Sequence, residues 1–151
     1  MNAYVMIGGS NTRKSSICRA LTGCFNRNIR EIRTLSGDNL RLYVRVSSLQ
    51  ESRTTPAEYV DEVNEKAVRN VLFSLWPQSQ LDDPASFPDA QTYLDDFLAR
   101  GWHVAAIAVL GQSTIPLTNP SLRQTAAAFP NTFIDPINVS AAQVRKFFAW
   151  E

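Results

Sequence analysis

The fold of this chain is decided by the stretch AYVMIGGSNTRKSSICRALTG, residues 3–23. Its first five residues are apolar and run directly into Gly8-Gly9, which predicts a buried β-strand over residues 3–7. From Ser15 to about Cys24 apolar side chains recur at helical spacing, and Gly23 is a stop signal. The sequence therefore predicts a strand, a glycine-containing turn and a helix in direct succession.

The turn has the length and the ending of the Walker A motif, G-x-x-x-x-G-K-[ST]. The candidate phosphate-binding residues are Gly8, Gly9, Ser10, Asn11, Thr12, Arg13, Lys14, Ser15 and Ser16. Such a loop wraps phosphates with backbone N–H groups, which requires residues that tolerate unusual dihedral angles, as Gly8 and Asn11 do. We expect Lys14 to reach the β- and γ-phosphates as a catalytic residue and Ser15 to hold Mg²⁺. The alternative is a plain strand–loop–helix connection in which Gly-Gly and Lys-Ser occur by chance.

The same residues, followed by Ala20-Leu21-Thr22-Gly23, resemble the first motif of bacterial GTPases of the translation-factor-related class. That motif reads G-x-P-N-V-G-K-S-[ST]-L, before a helix that ends in A-L-T-G. The resemblance covers about the first 23 residues and a hairpin after them. It implies a P-loop NTPase fold that binds a nucleoside triphosphate with Mg²⁺. It also implies that Gln50 orients a water molecule, which makes Gln50 a second candidate catalytic residue.

The chain departs from this class at three places. Arg13 replaces the glycine before the lysine, so its side chain must point away from the loop or crowd the nucleotide. The D-x-x-G motif is missing, since residues 47–51 read Ser-Ser-Leu-Gln-Glu. The N-K-x-D motif that reads guanine is missing too, because the apolar strand ends in Val109-Leu110-Gly111-Gln112. We therefore expect the Arg13 side chain to point outward and any hydrolysis to be slow. The sequence does not support specificity for guanine.

The whole chain, residues 1–151, is predicted to be one three-layer α/β domain whose mainly parallel sheet has an antiparallel edge strand. The predicted elements are a hairpin with arms 29–35 and 40–47, helices over 55–75, 88–100 and 121–129, a strand over 103–110, a short strand over 131–134 and a terminal helix. Capping boxes at Thr55–Glu58 and Ser140–Gln143 mark the starts of two of these helices. Residues 3–7, 40–47 and 103–110 are expected to be central strands.

Composition narrows the class of partner. The 15 Lys and Arg residues nearly balance 14 Asp and Glu residues, so nothing points to a dedicated nucleic-acid-binding protein. One face of the hairpin carries Arg41, Tyr43 and Arg45, and we interpret it as a solvated face. The alternative is that the face of residues 29–46 binds a protein partner.

No segment has the pattern of a signal peptide or membrane span, which indicates a cytoplasmic protein. Cys18 and Cys24 lack disulfide or metal-ligand spacing.

Three functions fit this sequence. The first is a nucleotide-binding P-loop protein, which as an NTPase would be slow. The second is a degenerate P-loop fold that serves as a binding or scaffold protein, which Arg13 and the missing acidic motif favour. The third is a small-molecule kinase, whose lid would bring Arg123 over the phosphates. A carboxylate near Ser15 at the ends of the strands would favour an enzyme.

Overall fold

Six β-strands form one sheet in the computed structural model, which describes residues 1–151. The strands are β1 (Asn2–Ile7), β2 (Arg27–Arg33), β3 (Asn39–Ser48), β4 (Asn70–Leu75), β5 (His103–Leu110) and β6 (Ala126–Phe129). The helices are α1 (Lys14–Thr22), α2 (Pro56–Glu65), α3 (Ala90–Ala99), α4 (Pro120–Gln124) and α5 (Ile137–Phe147). The strand order is β2-β3-β4-β1-β5-β6, and only β2 runs antiparallel to its neighbour. The predicted α/β class, the antiparallel edge strand and the three central strands are confirmed.

Apolar side chains cover both faces of this sheet. On one face Tyr4 and Met6 of β1 pack with residues of α1 and α5; on the other, Val5 and Ile7 pack with residues of α2 and α3. The central strands are therefore buried on both faces, which explains their nearly continuous apolar sequences. Burying each large apolar side chain contributes about 1.5–3 kcal/mol, and this packing holds the carboxyl end of β1 in place.

The prediction of one helix over residues 55–75 is wrong in its second half. The capping box is confirmed, because the Thr55 hydroxyl accepts a bond from the Glu58 N–H at 3.2 Å and the Glu58 carboxylate accepts one from the Thr55 N–H at 3.1 Å. However, α2 ends at Glu65, Ala67 has a left-handed φ of 52°, and residues 70–75 form β4 between β3 and β1. Residues 70–75 were expected to be helical and instead form the strand that pairs with β1.

The carboxyl-terminal predictions also need correction. The helix expected over 121–129 ends at Gln124, and residues 126–129 form β6, which pairs parallel with β5. Residues 131–134 are a turn and not a strand. Helix α5 begins at Ile137, directly after Pro136, so the capping box at Ser140–Gln143 is wrong. Ser140 is buried inside the helix and caps nothing.

The hairpin face that was expected to be solvated is largely covered by α2. Tyr43 and Arg45 are buried, and both donate to the Glu62 carboxylate, from the Tyr43 hydroxyl at 2.6 Å and from Arg45 Nη1 at 2.9 Å. Of the three side chains on that face, only Arg41 is exposed. Arg45 also donates to the hydroxyls of Ser52 at 2.6 Å and Thr54 at 3.2 Å. This network ties the turn after β3 to the strand and to α2.

Neither cysteine forms a disulfide, and both are buried as free thiols. None of the five helices is long and apolar enough to cross a membrane.

Candidate functional site

The segment of residues 8–16 joins the carboxyl end of β1 to the amino end of α1. β1 lies between β4 and β5. The connection that leaves β1 runs towards one edge of the sheet, and the connection that leaves β4 runs towards the other. Open α/β sheets bind ligands at the carboxyl ends of strands, beside such a switch point. The fold thus puts the 8–16 segment where a ligand is expected.

A cavity of about 280 Å³ opens beside this segment. It is lined by Gly9, Ser10, Asn11, Arg13, Lys14, Ser15, Ser16, Glu51 and Trp76. Trp76 is the one hydrophobic residue in that set. Pockets for drug-like molecules are mostly apolar, so this polar cavity suits a small charged ligand instead.

Seven of the eight residues from 9 to 16 line the cavity, and Thr12 is the exception. None of the eight backbone N–H groups of these residues donates to an acceptor in the protein, and α1 has no side-chain cap at its amino end. The run is bounded by Gly8, whose N–H donates to the Leu75 carbonyl at 3.1 Å, and by Ile17, whose N–H donates to the Arg13 carbonyl at 2.9 Å. Free amides at the positive end of a helix form a binding site for an anion.

Thr12 fixes the path of this segment by close packing against two glycines. A Cβ on Gly8 would lie 2.5 Å from Thr12 Oγ1, and a Cβ on Gly111 would lie 2.6 Å from Thr12 Cγ2. The Thr12 hydroxyl donates to the Gly9 carbonyl at 2.8 Å. The loop is therefore wedged between the ends of β1 and β5. The contact with Gly111 could not be predicted from the sequence, because Thr12 and Gly111 are neighbours only in the folded chain.

Lys14 is one of two cationic residues in the cavity lining, and Arg13 is the other. Lys14 is 8% exposed, and its Nζ donates to the Gly9 carbonyl at 3.1 Å. Burial lowers the pKa of Lys14 from its ordinary value of 10.5 to about 8, and the negative charge of Glu51 opposes this shift. Lys14 therefore remains mainly protonated at pH 7, where it can neutralise part of an anion's charge.

Arg13 has the backbone conformation of a glycine position but directs its side chain away from the amides. Its φ is 65°, in the left-handed region, as is that of Asn11 at 67°. The guanidinium donates to the carbonyls of Asp135 at 2.6 Å and Thr132 at 3.4 Å. This is the outward orientation that the sequence favoured, and it ties the loop to the turn before α5.

Gln50 is not placed to orient water, which corrects the role implied by the resemblance. It is fully buried and lies outside the cavity lining. Its amide nitrogen donates to the carbonyls of Trp76 at 3.0 Å and Pro88 at 3.2 Å, and its oxygen accepts from the Trp76 N–H at 3.0 Å. Gln50 therefore holds the wall of the cavity together.

Glu51, the next residue, is the functional candidate that sequence reasoning missed. It is the one acidic residue in the cavity lining and is exposed. The sequence feature that could have identified Glu51 is its position shortly after the third strand, where the acidic motif of the GTPase class is expected. The strand end beside β1 carries Ser74, Leu75 and Trp76, and no acid.

Two other expectations can be placed on the structure. Arg123 lies outside the cavity lining, and its guanidinium donates to the carbonyls of Ile115 at 3.0 Å and Leu117 at 2.8 Å. No three side chains among His, Cys, Asp and Glu come together as a metal site. Among the residues that line the cavity, Ser15 and Glu51 carry side-chain oxygens.

No protein-family model matches this chain, and neither a curated protein nor a solved structure shows significant similarity to it.

Proposed function

We propose that this chain binds the phosphate chain of a nucleoside triphosphate, with Mg²⁺, at the 8–16 segment, as P-loop proteins do. The observation that carries the proposal is the run of eight backbone N–H groups without protein acceptors, in a segment of which all residues but Thr12 line a polar cavity. Five of the eight N–H groups belong to buried or half-buried residues, where an unpaired donor costs free energy. Phosphate oxygens would supply the missing acceptors.

The charges in the cavity support an anionic ligand. Lys14 and the amino end of α1 both favour negative charge, and no other protein group neutralises Lys14 by direct ion pairing. In the proposed complex Lys14 leaves the Gly9 carbonyl and binds phosphate oxygens. Ser15 would hold Mg²⁺, which would reduce the negative charge of the phosphates.

Hydrolysis, if it occurs, is expected to be slow. Phosphoryl transfer is catalysed mainly by groups that position the nucleophile and stabilise charge. Here Gln50 is buried in the cavity wall, and the Arg13 guanidinium is engaged by backbone carbonyls. The same two observations favour the second candidate, a degenerate P-loop fold that acts as a binding or scaffold protein. The position of Arg123 offers no support for a kinase lid.

Isothermal titration calorimetry with ATP, GTP and inorganic tripolyphosphate, each with Mg²⁺, tests this proposal. We expect the wild type to bind at least one of them below millimolar concentration, and Lys14→Met to lose about tenfold or more in affinity, since a charge-assisted contact is removed. Lys146→Met is the matched control, because Lys146 is an exposed lysine outside the cavity. If none of the three ligands binds at millimolar concentration, the scaffold reading replaces the nucleotide-binding one.

A further inference from the structure

We propose that the free edge of β2 is a self-association surface, on which β2 of a second copy of this chain pairs antiparallel about a two-fold axis. The inference is independent of phosphate binding, because the residues of β2 lie outside the cavity lining. Such pairing would join two six-stranded sheets into one continuous sheet. An unpaired strand edge is a template for pairing with another chain, and two-fold dimers are the commonest symmetric assemblies of proteins.

The first support is the set of backbone groups that β2 leaves unpaired. β2 is the last strand of the sheet and pairs only with β3. Antiparallel bonds alternate along a strand, and the Val46 N–H of β3 donates to the Asn26 carbonyl at 2.9 Å, so the even-numbered residues of this stretch bond to β3. Arg27, Ile29 and Glu31 therefore direct their N–H and C=O groups outward, where a second strand can bond to them.

The second support is that a segment after α5 already pairs with this edge at the end of β2. The Leu35 N–H donates to the Ala149 carbonyl at 2.9 Å, and the Glu151 N–H donates to the Arg33 carbonyl at 2.8 Å. This segment runs antiparallel to β2. The edge therefore accepts a strand in the proposed direction, and residues 27–31 remain uncovered beside it.

The third support is that the side chains of the uncovered edge complement a second copy of themselves. Arg27, Ile29 and Glu31 alternate along β2 and share one face, in the order cation, apolar, anion. When Ile29 lies opposite Ile29 of the partner copy, Arg27 of each copy lies opposite Glu31 of the other. The outward residues then meet as hydrogen-bonded pairs, which gives about six backbone bonds. One apolar pair and two opposite-charge pairs stabilise this arrangement.

Charge favours this register over its neighbours. A shift of two residues in one direction would place Arg27 opposite Arg33 of the partner copy and Arg30 opposite its own counterpart, and like charges directly opposite each other are destabilising. A shift in the other direction leaves Glu31 without a cation opposite. In the proposed register Arg30 lies opposite Asn28. The net charge of the chain is only +1, so two copies repel each other little at long range.

Exposed apolar side chains flank β2 at both ends. Phe25, before the strand, is 77% exposed, and Leu35, after it, is 61% exposed. Antiparallel pairing brings the start of one β2 to the end of the other, so that Phe25 of each copy approaches Leu35 of its partner. Burial of these side chains adds an apolar contribution to the association.

The test is sedimentation velocity of the full chain over the micromolar concentration range. We expect the wild type to form a dimer of twice the 16.9 kDa mass of the chain. Arg27→Glu and Glu31→Arg each place like charges opposite each other, and each should raise the dimer Kd by about tenfold or more. Glu31→Arg is the cleaner variant, because Glu31 forms no ion pair within the chain whereas Arg27 contacts Glu62 at 3.3 Å.

An equimolar mixture of the two charge variants tests the register itself. In a heterodimer one chain supplies anions at residues 27 and 31 and the other supplies cations, so both opposite-charge pairs are restored. We expect the mixture to dimerise about as tightly as the wild type, although each variant alone does not.

Two further variants test the backbone pairing and the effect of net charge. Ile29→Pro removes an outward N–H that donates only to the Asn28 side chain, at 2.8 Å, and leaves the bonds to β3 in place. It should also raise the dimer Kd by about tenfold or more, because proline cannot donate to the partner strand. Asp95→Arg makes the same change of charge as Glu31→Arg at an exposed position on α3 and should keep the wild-type Kd.

Each contrary outcome has a definite meaning. A wild type that remains monomeric at several hundred micromolar would overturn the proposal. A dimer whose Kd is unchanged in Glu31→Arg and Ile29→Pro would overturn it too, since the association would then use another surface. A mixture that dimerises no more tightly than its components, or an equal loss in Asp95→Arg, would contradict the specific charge pairing. Circular dichroism of each variant shows that the fold is retained.

Discussion

Replacing Lys14 with Met should stabilise the ligand-free protein at pH 7 while removing phosphate affinity. Lys14 is buried beside the free amides, and its pKa falls from 10.5 to about 8 because burial disfavours the ammonium. A buried cation that awaits an anion is a cost to folding. Met fills a similar volume with an apolar, flexible side chain and carries no charge to desolvate.

The magnitude follows from the pKa and the hydrogen bond. A lysine pKa lowered from 10.5 to about 8 means that protonated Lys14 destabilises the folded state by roughly 3 kcal/mol. Lys14→Met also removes the bond from Lys14 Nζ to the Gly9 carbonyl, which costs the variant about 1 kcal/mol. Its loss orphans no acceptor, since the Gly9 carbonyl still accepts from the Thr12 hydroxyl. We expect Lys14→Met to raise the free energy of unfolding by about 2 kcal/mol.

The effect must depend on pH in one direction. Well below pH 8 Lys14 is protonated in both states and the destabilisation is complete. Between pH 8 and 10.5 the folded protein has released the proton that the unfolded chain still binds, so wild-type stability rises relative to Lys14→Met. Urea unfolding at pH 7 and pH 10 measures both differences. A Lys14→Met protein that is less stable than the wild type at pH 7, or a gap that widens towards pH 10, would refute this reasoning.

Three other substitutions test the surrounding geometry. Arg13→Gly should bind ATP with Mg²⁺ several-fold more tightly in calorimetry, because glycine adopts the left-handed φ of 65° without a Cβ that crowds the ligand; equal or weaker binding would show that the guanidinium contributes to affinity. Gln50→Ala should lower the free energy of unfolding by about 2–4 kcal/mol, since it orphans the Trp76 N–H; a loss well under 1 kcal/mol in urea titration would contradict its role in the wall. Glu62→Ala should cost about 3–5 kcal/mol by leaving Arg45 buried without its carboxylate, and an unchanged thermal midpoint would argue against the network.

Sequence reasoning succeeded where the signal is local. The apolar run before Gly8, the helix after Lys14 and the hairpin before Ser48 are each specified by neighbouring residues. It failed at β4 because Val63, Ala67, Val71 and Leu75 recur every four residues, as on a helix. A strand buried on both faces has no alternation to contradict that interpretation. Ala67, in a left-handed conformation, ends the helix region without the glycine that usually signals such an end.

The candidate site also has a part that could be predicted from local sequence and a part that could not. The residues of the 8–16 segment are contiguous, so their motif could be read directly. Glu51 joins them only because β3 and the turn after it place it beside the same cavity. Tyr43 and Arg45 were assigned to solvent because the alternation of a strand distinguishes its two faces but does not show which face a helix covers. In the structure α2 covers this face, and Glu62 accepts hydrogen bonds from both side chains. Tertiary contacts of this kind leave no pattern in a single sequence.

The central claim, that the free amides of residues 9–16 hold phosphate, is tested most directly by nuclear magnetic resonance. ¹⁵N-labelled protein is titrated with sodium tripolyphosphate in the presence of Mg²⁺, and the amide shifts are followed residue by residue. The account predicts that the largest shifts fall on residues 9–16 and that Lys14→Met reduces them strongly, because these N–H groups gain acceptors that the protein lacks. Largest shifts at the exposed arginines of β2, or no shifts at millimolar tripolyphosphate, would contradict it.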